Sequence, residues 1–140
     1  TYDYSKVGFR LPTEAEWEFA AKGEAPTNWA WGDDIATISQ YVVFNDTSFA
    51  SVGSKKAISN GLYDLQGNAW EWVTDWKAEY LGGQETNPVN KTDSTFGERV
   101  TRGGSWREGN AEIYSSSNRH SEIPTRSDRT TGFRLVINER

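Results

Sequence analysis

Residues 61–76, GLYDLQGNAWEWVTDW, constrain this chain more than any other stretch. They gather three tryptophans, a tyrosine, three acids and two glycines into one segment. Such a segment is too polar for a plain core strand and too aromatic for a solvated loop. Trp70, Trp72 and Trp76 are therefore expected in the core, with the neighbouring acids held in fixed places. Those acids could hold a metal ion, a hydrogen-bond network or a catalytic proton.

The rest of the chain has to build a fold around that segment. Its 140 residues suit one domain with one core. Only 35% of them are hydrophobic, but seven are tryptophan, so the core is expected to rest on a few large aromatics. The net charge of −5 argues against nucleic acid or an anionic membrane as the main partner. No apolar run approaches the roughly 20 residues of a membrane span. There is no cysteine, which removes disulfides, thiolate nucleophiles and cysteine-ligated metals. With one histidine, a histidine-rich metal site is not expected either. The sequence starts at Thr1 without a methionine or a secretory leader pattern, which suggests a processed or truncated chain.

Taken in order, residues 1–11 read as extended. Thr13 is placed to cap a helix over 13–22, with Glu16 closing a capping box and Gly23 ending the helix. Trp17, Ala20 and Ala21 share one face of it. Residues 24–34 read as a loop that carries Trp29 and Trp31 on one side, and 35–49 as irregular. A turn is expected at Asn60–Gly61. Residues 77–97 read as a long loop, 98–105 as a strand, 106–131 as a polar run without periodicity, and 132–138 as the last strand. Loops this long are functional or disordered as a rule. Their buried-type aromatics point to ordered, irregular structure.

Four blocks, GFRLPTEAEWEFAAKG at 8–23, GLYDLQGNAWEWVTDW at 61–76, RVTRGGSW at 99–106 and GFRL at 132–135, resemble the formylglycine-generating-enzyme/sulfatase-modifying-factor domain family. The resemblance implies a single domain over 1–140 with a C-type-lectin-like fold of the formylglycine-generating-enzyme type. That fold is α+β, loop-rich, with few short strands and one clear helix. Family domains begin well before the first block, so an N-terminally truncated version is expected. Members that make formylglycine use a cysteine pair after the third block. Here that stretch is REGNAEIY, without cysteine, so formylglycine chemistry is not expected and no catalytic residue is assigned. The sulfoxide synthases that share the domain need a three-histidine iron site, which His120 alone does not supply.

The family block at 61–76 implies a structural Ca2+, with the side chains of Asp64 and Glu71 and the carbonyls of Gly67 and Ala69 as ligands. On an extended segment, positions 67, 69 and 71 would point the same way and could converge on one ion with 6–8 oxygens in all. The alternative is that Asp64 and Glu71 cap backbone amides.

The polar run at 107–131, REGNAEIYSSSNRHSEIPTRSDRTT, is built from side chains that make adaptable hydrogen bonds. It resembles one branch of the family, the variable proteins of diversity-generating retroelements. In those, the fold displays diversified residues between GGSW-like and GFR-like blocks. Adenine-targeted diversification of Asn codons there yields Asn, Ser, Thr, Asp, Arg, His, Tyr and Gly, the vocabulary of this run; Glu108, Glu112 and Glu122 fit that origin less readily. The resemblance implies a receptor-type binding protein for a protein or cell-surface ligand, of bacterial or phage origin and extracellular location. The expected ligand residues are Arg107, Glu108, Asn110, Tyr114, His120, Ser121, Glu122, Arg126 and Asp128, with Arg and Tyr as anchors. The other reading is an accessory or catalytic member of the family acting in sulfur or metalloenzyme maturation.

Overall fold

The computed structural model describes residues 6–23, 27–80, 82–83, 85–93 and 96–138. The expected extended start at 1–5 and the loop residues 24–26 lie outside them. β1 (Gly8–Arg10) leads into α1 (Glu14–Lys22), as the capping box predicts. The Thr13 hydroxyl accepts the Glu16 amide at 3.1 Å, and the Glu16 carboxylate accepts the Thr13 amide at 2.8 Å. Arg10 reinforces the cap by pairing with both Glu16 oxygens at 2.6 Å. Thr13→Ala should therefore lower stability by about 0.5–2 kcal/mol, measured by urea denaturation. An unchanged midpoint would mean that tertiary packing alone sets the start of α1.

Residues 35–49, expected to be irregular, hold a 3-10 turn (Ile35–Thr37) and a short second helix, α2 (Ile38–Tyr41). The central segment divides in two. Residues 61–69 form an ordered loop in which Leu65, Gln66, Gly67 and Asn68 are buried. β2 (Trp70–Trp76) follows as the middle of a four-stranded sheet. Its neighbours are β3 (Arg99–Arg102), antiparallel, and β5 (Thr131–Phe133), parallel. β4 (His120–Glu122) pairs with β3 and forms one edge of the sheet, giving the order β4-β3-β2-β5. β6 (Val136–Asn138) pairs instead with β1 in a two-stranded ribbon.

Two expectations about strands need correction. The run 132–138 is two strands in two sheets, not one. The chain leaves β2 after Phe133 because Arg134 turns to the Glu71 carboxylate. The polar run also has more order than its lack of periodicity suggests: it holds a 3-10 turn (Ala111–Tyr114) and β4.

One face of the sheet packs on α1, where Trp17, Ala21, Leu65, Val73 and Val100 form a core. A second core joins Trp29, Ile38, Val42 and Tyr114. There Trp29 and Trp31 stack at 5.7 Å, consistent with their expected common direction. Of the three tryptophans of β2, Trp70 is buried, while Trp72 and Trp76 are half-buried. They lie on the face of the sheet away from α1.

The buried loop at 61–69 has to satisfy its backbone without a ladder. Gly67 donates to the Gly103 carbonyl at 2.8 Å and Asn68 to Val43 at 3.0 Å. The Asn68 side chain accepts from the Ala50 amide and donates to its carbonyl. A Cβ on Gly67 would stand 2.4 Å from Val42 Cγ1 and 2.6 Å from the Val43 carbonyl, and its φ is +79°. Only glycine fits both constraints.

Candidate ligand-binding surface

The register across the sheet places His120, Thr101 and Trp72 side by side. Their side chains share the face away from α1, together with Trp70 and Glu122. The polar run folds over that face in two layers.

The inner layer is fixed. Glu108 turns inward, and its Oε2 accepts the amide and hydroxyl of Ser105, both at 2.7 Å. Its Oε1 accepts the Trp70 indole at 3.1 Å. Tyr114 is fully buried, its hydroxyl 2.8 Å from the Ser105 carbonyl and 2.5 Å from that of Glu108. Burial pushes its phenol well above the usual tyrosine range. Tyr114 is thus a core residue and no ligand anchor: its hydroxyl finds both partners inside the fold. On the other side of the sheet, Arg119 grips Glu14 of α1 with two bonds at 2.6 and 2.8 Å, donates to the Ala78 carbonyl, and lies 4.4 Å from the Tyr80 ring.

Arg102, fully buried on that same side facing α1, donates to the carbonyls of Ser116, Ser117 and Asn118 and to Glu18. Neither arginine is signalled in the sequence. Their partners lie far along the chain, and nothing local separates a buried arginine from a surface one.

The outer layer is a string of paired polar groups. The His120 ring lies 4.9 Å from Trp70, and its Nε2 is 3.2 Å from Glu122 Oε1. Arg126 Nη1 reaches the same oxygen at 2.9 Å, and its Nε donates to Asp128 at 2.6 Å. Asp128 also accepts the amide and hydroxyl of Thr130 at 2.8 Å. The Arg126 guanidinium, then the Thr130 amide, hold its carboxyl well below the usual range. Arg107, Glu108, His120, Glu122 and Arg126 line one cleft of about 130 Å³ floored by Trp70. Five of the nine expected residues thus meet in one place.

Of the other four, Asp128 braces Arg126, and the Asn110 side chain accepts the Glu112 amide at 3.1 Å. Ser121 points to the other side of the sheet, where it donates to Glu98 at 2.7 Å. Tyr114 is in the core. The sequence reading missed Trp70 as the floor and Thr130 as a brace.

The residues expected to hold Ca2+ are tied into the fold by hydrogen bonds, while Asp64, Ala69 and Glu71 still border one cleft. Gly67 and Asn68 both have positive φ, so the segment is not extended and the expected convergence of alternate oxygens is lost. The Gly67 carbonyl accepts the Ala69 amide at 2.7 Å. Glu71 accepts the Trp17 indole at 2.7 Å and two Arg134 donors at 2.6 and 2.7 Å. Asp64 accepts the Gly53 amide at 2.6 Å. Among the described residues no three His, Cys, Asp or Glu side chains come together, so a site here would rest on two carboxylates and backbone carbonyls. Glu71 is met by a guanidinium and an indole, and the amide-capping alternative holds at Asp64 alone. Burial still raises the Glu71 carboxyl, against the pull of Arg134.

Comparison with known proteins adds the following. A family model described as the sulfatase-modifying factor enzyme 1-like domain matches residues 2–139. The formylglycine-generating enzyme of Streptomyces coelicolor is 32% identical over 93% of this chain and 47% of its own length. The serine/threonine-protein kinase pkn1 of Chlamydia pneumoniae is 34% identical over 94% of this chain and 21% of its own length. Among solved structures, Treponema denticola variable protein 1 superposes with a TM-score of 0.84 at 37% identity, covering 95% of this chain and 49% of that one. PvdO from Pseudomonas aeruginosa shares the fold, with a TM-score of 0.83 at 24% identity over 94% of this chain and 53% of its own. The chain thus spans at most about half the length of these relatives. Among the described residues no helix is long and apolar enough to cross a membrane.

Proposed function

The chain belongs to the sulfatase-modifying factor enzyme 1-like family, and from that footing we propose that it is a ligand-binding module and not a catalyst. Its binding surface is the outer layer of residues 107–130, and its ligand is a protein or cell-surface molecule. The observation that carries this reading is the separation of the run into two layers. Tyr114, Ser116 and Arg119 are bound into the scaffold, while Arg107, His120, Glu122 and Arg126 surround an open cleft. Such a division lets the outer side chains change without disturbing the fold. The likeness to a variable protein of Treponema denticola supports the same reading.

The test is a library randomised at Arg107, Asn110, His120, Glu122, Arg126 and Asp128, selected on hen-egg lysozyme as an arbitrary target. Most members should stay folded, since surface substitutions of this kind stay within about 0.5 kcal/mol each. Binders of micromolar affinity or better should emerge. A library that is mostly unfolded, or folded but barren, would remove the proposal. A second, genetic expectation is a near-copy of the coding stretch for 106–134 beside a reverse-transcriptase gene.

The 32% identity to a formylglycine-generating enzyme keeps an accessory role in sulfur or metalloenzyme maturation as the second reading. That role predicts copper or iron loading with oxygen uptake, in a chain that offers no thiolate. For the central loop, the Arg134–Glu71 pair in the place of a metal predicts that EDTA shifts the thermal midpoint by less than about 1 °C. A larger drop, reversed by Ca2+, would return the metal to this site.

A further inference from the structure

β4 is an edge strand. Its inner side pairs with β3, and its outer backbone groups meet no partner among the described residues. Proteins guard such an edge by keeping the strand short or by placing charges, a proline or a bulge in it. β4 is short and carries Glu122, but its three residues include no proline or lysine and its pairing with β3 has no bulge, so roughly two or three main-chain bonds remain on offer.

Two clefts flank this edge. One is the 130 Å³ cleft over Trp70, on the face that His120 and Glu122 share. The other, of about 300 Å³, is lined by Lys77, Glu98, Arg119 and Ser121, on the Ser121 side. His120 forms part of both rims, so the two are separated by the width of one strand.

We propose that this surface takes an extended polypeptide segment of its ligand as a fifth strand on β4. The proposal rests on the binding-module reading above. Main-chain bonds to β4 would supply sequence-independent affinity, and the clefts would read alternate side chains. The smaller cleft carries the Arg107 guanidinium, which has no partner among the described residues, while Glu108 and Glu122 are already occupied by donors. A short acidic or amide side chain suits that cleft. The larger one is walled by Glu98, which Ser121 and Lys77 already engage, and takes a longer polar side chain.

The experiment uses a phage-displayed library of unstructured octapeptides selected on the 140-residue chain. The tightest binder is resynthesised with a single backbone N-methyl group at each position in turn. Strand addition predicts a period of two: alternate N-methyl groups weaken binding tenfold or more, and the intervening ones change it little. Arg107→Ala should weaken the same peptide several-fold. A peptide whose binding is lost with His120→Ala or Arg126→Ala, yet shows no period of two, overturns strand addition and leaves the ligand-surface reading intact. Failure to select any peptide on the folded chain, or binding unmoved by these variants, also overturns it. The lysozyme selection then judges the surface reading independently.

Discussion

Replacing Arg102 with methionine should destabilise the chain by about 3–5 kcal/mol, since each carbonyl left without a donor inside the fold costs about 1–3 kcal/mol. That corresponds to a fall on the order of 10 °C in thermal midpoint. Arg102 has no exposed surface, and its guanidinium makes four hydrogen bonds. One of them pairs it with Glu18 of α1, and the other three go to consecutive carbonyls at 116–118. Methionine fills much of the volume but leaves those carbonyls without donors. Lysine should not rescue the loss, because its single ammonium lacks the planar fork that serves both groups at once. A methionine variant that melts with the parent would show that the base of the polar run does not depend on this anchor. Folded Arg102→Met protein should also exchange the amides of 114–119 faster than the parent does.

A second large effect is expected at Arg134. Arg134→Ala removes the only basic side chain that contacts Glu71 among the described residues. It leaves a buried carboxylate with the Trp17 indole alone. The loss should again be about 3–5 kcal/mol at neutral pH. The pH dependence separates this cause from simple loss of packing. Burial already raises the Glu71 carboxyl, and removing Arg134 lets it rise further. An acid that titrates higher in the folded chain than in the unfolded one costs stability where it is ionised and none where it is protonated. The deficit of Arg134→Ala should therefore be full near pH 7. It should shrink as the pH falls through the raised folded value toward the unfolded value of about 4.3. Adding Glu71→Gln should recover part of the loss at neutral pH, and the double-mutant cycle should give a coupling above about 1 kcal/mol. A deficit that stays constant with pH would assign the effect to packing.

How much of this was legible in the sequence depends on how local each cause is. The capping box at Thr13 and Glu16 could be read because both partners lie within four residues. The family blocks carried the α+β, C-type-lectin-like fold class. The loop at 61–69 could not be resolved in detail. Whether Gly67 and Asn68 are extended or left-handed depends on Val42, Val43 and Gly103, which are packed around them from elsewhere in the chain. The pairing of Glu71 with Arg134 spans 63 residues, so the acid stood out and its partner did not.

The polar run was legible as a surface in composition but not in its inner layer. Tyr114 carries the same residue type whether it anchors a ligand or closes a core. Here the positions of Ser105 and Glu108 decide, since their carbonyls receive its hydroxyl within the fold. The cleft itself is a product of β4 pairing with β3, and three polar residues give no strand signal by alternation.

The ribbon of β1 and β6 sets how such a domain can sit within larger proteins. Gly8 lies opposite Asn138, so the chain entering β1 and the chain leaving β6 run side by side, about 5 Å apart between Cα atoms. A host polypeptide could carry this unit as a side branch on a single stalk, without being forced to traverse it. Its own trajectory would be displaced by little more than the width of one strand. Relatives as unlike as a kinase and a formylglycine-generating enzyme, in which the matched part fills 21% and 47% of the whole, are compatible with that kind of grafting.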